Sequence, residues 1–204
     1  MNPINRAIAV LTQTRPTMSA AAAEPATTGG LIGGYAAILA LLPAIGALLG
    51  LLLFAGSAIS YVFGSMLVML VLMYALRDLG LAVGMGFIIN ALAPAMGGRK
   101  DAIGAMKLAV YAATAIWVAG FLYGLLAPLG AIGYLVLLAG FALAGYILYL
   151  GAEPLVGVPQ NQAPAFAAVT TVIWLVLYFV IEQILQQIFF RMMIGSAIRS
   201  YGGF

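Results

Sequence analysis

Long, uninterrupted apolar runs separated by short polar breaks dominate this chain. The runs are Leu31 to Phe54, Ser57 to Leu76, Leu79 to Ala95, Leu108 to Leu126, Ile132 to Leu150 and Ala165 to Phe190. An α-helix needs about 20 apolar residues to cross a hydrocarbon core, and most of these runs are near that length. A transmembrane barrel would show alternating segments of about ten residues instead. The pattern therefore predicts an all-α, polytopic transmembrane helical bundle of five or six spans, with a short N-terminal surface arm.

The polar breaks divide the chain into an arm at 1–29, a bundle at 30–190 and a short basic tail at 191–204. In the arm, Ile4, Ile8 and Leu11 share one helical face and would dip together into a membrane surface, with Arg6 among the headgroups. A disordered tail is the alternative. Ser19 to Glu24 is Ala-rich and predicts a helix that Pro25 ends. The stretch before Leu31 does not read as a cleavable signal peptide, because Arg6 interrupts its short apolar run. Pro43 should kink the first span. Gly97–Asp101 is a loop, Pro128–Gly130 a tight turn, and Glu153–Pro164 a polar loop with three prolines.

Residues 55–95 admit three readings. Two crossings meet at Arg77–Asp78, or one long helix from about Gly64 to Ala93 buries the pair, or a re-entrant turn lies near Gly56–Gly64. Charge does not choose between five and six spans. Five spans put Arg6, Arg15, Arg99, Lys100 and Lys107 inside; six put Arg6, Arg15, Arg77, Arg191 and Arg199 there. The excess of cytoplasmic Lys and Arg is the same in both.

Composition removes whole classes of function. Only 6% of residues are charged and 65% are hydrophobic, against about a quarter and about half in a soluble domain. Cys and His are both absent. That leaves no thiolate or imidazole ligand for zinc, haem or an iron–sulfur centre, and no imidazole base. The chain is expected to carry no cofactor and no metal. A net charge of +3, dispersed, does not fit nucleic acid.

The few polar groups inside apolar runs are the candidate sites. Arg77 and Asp78 come first. A charge at mid-bilayer costs roughly 2.5–3.5 kcal/mol, so the expectation is an interfacial pair at a helix end, with a proton or ion relay as the functional alternative. Glu182, Gln183, Gln186 and Gln187 form a polar stripe, with Glu182 over Gln186 and Gln183 over Gln187. It reads as interhelical hydrogen bonding, or alternatively as a pore wall or partner seam. Asn90 needs a partner if buried. Small-residue pairs four apart allow helices to approach closely: Gly29/Gly33, Gly30/Gly34, Gly46/Gly50, Gly80/Gly84 and Gly120/Gly124. Tyr35, Tyr61, Trp117, Tyr123, Tyr146 and Tyr149 lie near span ends, as in an interfacial belt. No carboxylate stands beside a Ser or Thr motif that would make a nucleophile and base, so the residues point away from an enzyme.

Several segments resemble the bacterial branch of the Yip family, the Ypt/Rab-interacting membrane proteins. Glu24-Pro25-Ala26-Thr27, then Gly34-Tyr35 and Leu42-Pro43-Ala44, are similar to the family's arm and first span. Ile89-Asn90-Ala91-Leu92-Ala93-Pro94 with Gly97-Gly98 resembles its second-span exit. Tyr111, Thr114 and Trp117-Val118-Ala119-Gly120 resemble the third span. Tyr146, Leu148-Tyr149-Leu150-Gly151 and Val158-Pro159 resemble the fourth span and its following loop. Ala115 stands where the family usually has Pro, and Gln160-Asn161-Gln162 stands where it usually carries Lys and Asp.

The resemblance implies five spans with the N-terminus cytoplasmic, which breaks the tie. It implies a non-catalytic inner-membrane protein that acts in membrane organisation or assembly through helix and lipid contacts. Its partners would be membrane lipids and itself or another membrane protein. Rab-type GTPase binding, a property of eukaryotic members, does not carry over to so short an arm. A small-solute or ion transporter is the alternative, prompted by Arg77–Asp78 and Pro43.

Overall fold

The computed structural model describes residues 2–55 and 58–201, with side chains for all of these except 54–67, 70, 189 and 193–201. Every element among them is helical. Five helical stretches are long and apolar enough to cross a membrane: Thr28–Leu53, Val71–Ala95, Ala102–Leu129, Ala131–Val156 and Ala163–Met192.

The arm is ordered. Helix α1 (Pro3–Thr12) starts at Asn2, whose Oδ1 accepts from the Ile4 N–H at 3.0 Å, with Pro3 in the first turn where its missing N–H costs nothing. Helix α2 (Thr14–Ala23) ends at Glu24, before Pro25. Ala7, Val10, Met18 and Ala21 are buried against the bundle. This replaces the disordered-tail alternative. It also splits the expected apolar trio: Ile4 and Ile8 are 58% and 54% exposed, while Leu11 packs against the core.

Two polar ties hold the arm. Lys107 donates from Nζ to the carbonyls of Ala21 and Glu24 at 2.7 and 2.6 Å. These are unpaired carbonyls at the C-terminus of α2, where a cation is favoured. Arg6 forms an ion pair with Glu24.

The first span is segmented into α3 (Thr28–Leu31), a π-helical turn (Ile32–Ala36), α4 (Ala37–Leu39) and α5 (Leu42–Ala55). The break at Ala40–Leu41 comes from Pro43, which has no N–H for the carbonyl one turn back and whose ring clashes with it. Helix α6 (Ala58–Ala95) then runs without interruption. This corrects the expectation of a helix-end pair: Arg77 and Asp78 lie inside a continuous helix, and the two-crossing reading fails with it. Of the re-entrant stretch, Gly56 and Ser57 lie outside the described residues; from Ala58 onward the backbone is helical. Helix α7 (Ala102–Leu126) follows, then α8 (Ala131–Val156) and α9 (Ala163–Tyr201). The polar loop proposed at Glu153 is also corrected. Helix α8 continues through Pro154 and stops at Gly157, whose φ of 69° is the left-handed conformation that glycine adopts freely.

Helix α7 is the centre of the bundle. Gly104 to Trp117 are buried without a gap, and α5, α6, α8 and the arm all pack on it. A helix apolar all round belongs in such a place. Its contact with α5 is an interlock of two glycine pairs. A β-carbon on Gly46 would lie 2.1 Å from the backbone oxygen of Phe121, and one on Gly50 2.2 Å from that of Gly124. From the other side, a β-carbon on Gly124 would lie 2.3 Å from the Ala47 nitrogen, and one on Gly120 would meet the Pro43 ring at 2.9 Å. The remaining candidate pairs do not act this way within the chain. Among the described residues, a β-carbon on Gly80, Gly84 or Gly34 would meet nothing within 4 Å, and one on Gly30 would meet only Thr27. The aromatic belt is likewise partial: Tyr35 and Trp117 are buried in the bundle, while Tyr146 and Tyr149 are exposed. The side chain of Tyr61 lies outside the described ones.

Two outcomes follow from the packing. Gly124→Ala forces a methyl group into backbone and should cost about 1–3 kcal/mol in thermal unfolding in detergent. Gly80→Ala meets open space and should be neutral or stabilising by up to about 1 kcal/mol, because alanine is the better helix former. Equal effects would refute the interlock. At the arm, the hydrogen bond from Arg6 holds the Glu24 carboxyl below its ordinary 4.5. The folded value is depressed, so this stabilisation is complete above the ordinary value and is lost as pH falls through the folded one. Acidification below the ordinary Glu24 value of 4.5 should progressively increase hydrogen exchange in α1. Exchange that ignores pH would show that the pair does not hold the arm.

Candidate functional site

Helices α6 and α9 bring together charges that the sequence separates by 105 residues. Arg77 stands about 27 Å along α6 from Ala95, and Glu182 about 29 Å along α9 from Ala163, at 1.5 Å per residue. Both distances run from the same end of the bundle, where the 96–101 loop meets the end of α8 through Arg99 N–H and the Val156 carbonyl at 2.8 Å, just before the 157–162 loop. The two charges are therefore at one level.

The Arg77 guanidinium is the hub. Its Nε donates to Asp78 Oδ1 at 3.0 Å and its Nη2 to Asp78 Oδ2 at 3.1 Å. Its Nη1 donates to Glu182 Oε2. The Tyr74 and Tyr178 rings lie against it, with centroids 4.6 and 4.5 Å from the guanidinium carbon. These rings come from helical spacing: Tyr74 precedes Arg77 by three residues, and Tyr178 precedes Glu182 by four. Arg77 and Asp78 are 5% and 3% exposed. Ring faces attract the cation, and three N–H donors find carboxylate oxygens, so burial leaves little of the guanidinium unpaired.

The set holds one cation and two carboxylates. Asp78 binds in the two-pronged geometry that suits guanidinium. Glu182 makes the tie between helices and is held in turn by Gln186, whose Nε2 donates to Glu182 Oε1 at 2.8 Å. That is the one contact of the polar stripe that the spacing anticipated. Gln183 and Gln187 are exposed. A pocket of about 350 Å³ adjoins the hub, and its walls include Tyr74, Arg77 and Tyr178 together with Pro43, Gly50 and Gly124. The glycine interlock and the charged triad thus border the same space. The arrangement can hold two helices in register and can present a guanidinium edge to the pocket.

Asn90 lies elsewhere on α6, about 20 Å from Arg77 along the helix axis. Its Oδ1 is buried without a hydrogen-bond partner among the described residues, as is the Thr171 hydroxyl. Residues that the sequence reading passed over are Tyr74, Tyr178 and Lys107. The two tyrosines were findable, since each sits one turn before a charge already singled out. Lys107 gave no such signal, because its acceptors are main-chain carbonyls of the arm.

A family model, the Yip1 domain, matches residues 8–183. The matched stretch contains Arg77, Asp78 and Glu182 and ends within α9. No curated protein and no solved structure matches the chain.

Removing one member of the triad strands the others in an apolar interior. Arg77→Ala and Asp78→Ala should each cost about 3–5 kcal/mol and depress expression. Replacing all three by apolar residues, Arg77→Met with Asp78→Leu and Glu182→Leu, should cost far less than the single changes added together. Expression and melting temperature in detergent read both. Indifference to Arg77→Ala would place the pair in water.

Proposed function

From the premise that this chain belongs to the Yip1 domain family, we propose that it is a non-catalytic inner-membrane protein of the family's bacterial branch. In this reading it acts in membrane organisation or as an assembly partner, through helix and lipid contacts. It is an integral membrane protein with several apolar helices. One observation carries the rest: its inward charged groups are spent on ties between elements. Arg77 joins α6 to α9, Lys107 joins α7 to α2, and Arg6 joins α1 to the end of α2. Along the spans the outward positions include large apolar side chains and small ones, among them Leu72, Leu76, Phe87 and the open Gly80 position, beside the exposed amides of Gln183 and Gln187. Such a surface offers contact area to lipid, to another copy or to another membrane protein. In this reading the N-terminus is cytoplasmic, so five spans put the C-terminus on the far side; a C-terminal reporter should be found there, and a cytoplasmic signal would refute five spans.

A second reading, a small-solute or ion transporter, draws on one observation. The pocket beside Arg77 lies between a proline-broken span and a buried charge set, features that transporters share. Mass measurement in mild detergent, with flux assays in liposomes, separates the two. The first reading expects an oligomer or a complex and liposomes no leakier than empty ones. A lone monomer that moves a solute or ion would replace it with the second.

A further inference from the structure

The arm and the first span enclose a second pocket, of about 570 Å³, that the triad does not reach. Arg6, Glu24, Gly30, Gly34, Tyr35 and Tyr111 are among its walls. The span leaves the regular α-helical path beside it, in the π turn Ile32–Ala36, a distortion that recurs at functional sites. A β-carbon on Gly34 would meet nothing within 4 Å, so this wall is smooth and open. Further along the span Ile38 is exposed, and on α1 so are Ile4 and Ile8. A paired cation and carboxylate therefore sit where the surrounding surface is one that only lipid covers well.

The two charges differ in reach. The Arg6 side chain is 12% exposed and the Glu24 side chain 45%. Lys107 grips the Glu24 main-chain carbonyl, which anchors the carboxylate at the pocket. A guanidinium matches a phosphate, and a carboxylate matches an ammonium group that carries N–H donors. One molecule with both groups a few bonds apart replaces each charge's partner without leaving net charge behind. A quaternary ammonium has no N–H for Glu24, and a polyol headgroup has no cation for it.

We propose that this pocket is a binding site for a phospholipid whose headgroup joins a phosphodiester to a primary ammonium, as in phosphatidylethanolamine. Arg6 takes the phosphate, Glu24 takes the ammonium, and an acyl chain follows Gly30, Gly34 and Ile38 along the first span. The proposal rests on the reading that the protein works through lipid contacts and gives that reading a chemical preference.

Native mass spectrometry of the full chain in mild detergent tests it. The protein is titrated with phosphatidylethanolamine, phosphatidylcholine and phosphatidylglycerol of matched acyl chains. The wild type should retain phosphatidylethanolamine roughly tenfold better than phosphatidylcholine, the worth of a charge-assisted hydrogen bond. Glu24→Gln should abolish that preference while still binding phosphate, and Arg6→Gln should weaken all three lipids. Equal retention of phosphatidylethanolamine and phosphatidylcholine by the wild type overturns the proposal without any variant. So does tighter binding of phosphatidylglycerol, or a preference that survives Glu24→Gln. Failure here leaves the oligomer and flux measurements untouched, so the loss of this site and the loss of the broader reading are told apart.

Discussion

Apolar helices in lipid gain nothing by leaving lipid for one another, so their association rests on how closely their backbones approach. In this bundle that approach is made at α7. Glycines on α5 and α7 remove the side chains that would hold the helices apart, and Gly140 on α8 does the same against Ala119. The many small residues of α7 extend this to its other faces. Larger side chains elsewhere, such as Phe141 and Phe166, fill the spaces that the close contacts leave.

The polar groups obey the complementary constraint. With no water in the hydrocarbon region, polar groups must find partners inside the protein, and among the described residues Asn90 Oδ1 and the Thr171 hydroxyl are the exceptions. Arg77 does so with two carboxylates and two aromatic rings, and Tyr35 with Thr114, hydroxyl to hydroxyl at 2.8 Å. Lys107 finds carbonyls that helix α2 would otherwise leave unpaired. Such ties are weak evidence for stability, because each charge has first been taken out of water. Their value is in register: Glu182 meets Arg77 at only one relative height of α6 and α9.

Much of this was legible in the sequence. The span pattern, the kink at Pro43 and the candidacy of Gly46, Gly50, Gly120 and Gly124 for close packing follow from local rules. The course of α6 was not. Arg77 and Asp78 resemble a helix boundary when priced alone, and the group that makes them tolerable in mid-helix arrives only with Glu182. The glycine pairs show the same limit. Gly80/Gly84 and Gly120/Gly124 share one spacing, but among the described residues only the second pair meets another helix's backbone, and spacing carries no information about what stands across the gap. The arm was undecided for a related reason, since its anchor is Lys107 on the third span.

The glycine interlock also has a consequence for the order in which the protein comes together. Helix α5 enters the membrane early, yet its closest neighbour is α7, two spans later in the chain. Until α7 arrives, the bare backbone of Gly46 and Gly50 has no helix to rest on, and the arm has no Lys107 to grip it. Helix α6 already gives the first span some packing, but both the glycine interlock and the tie to the arm are completed only by the third span.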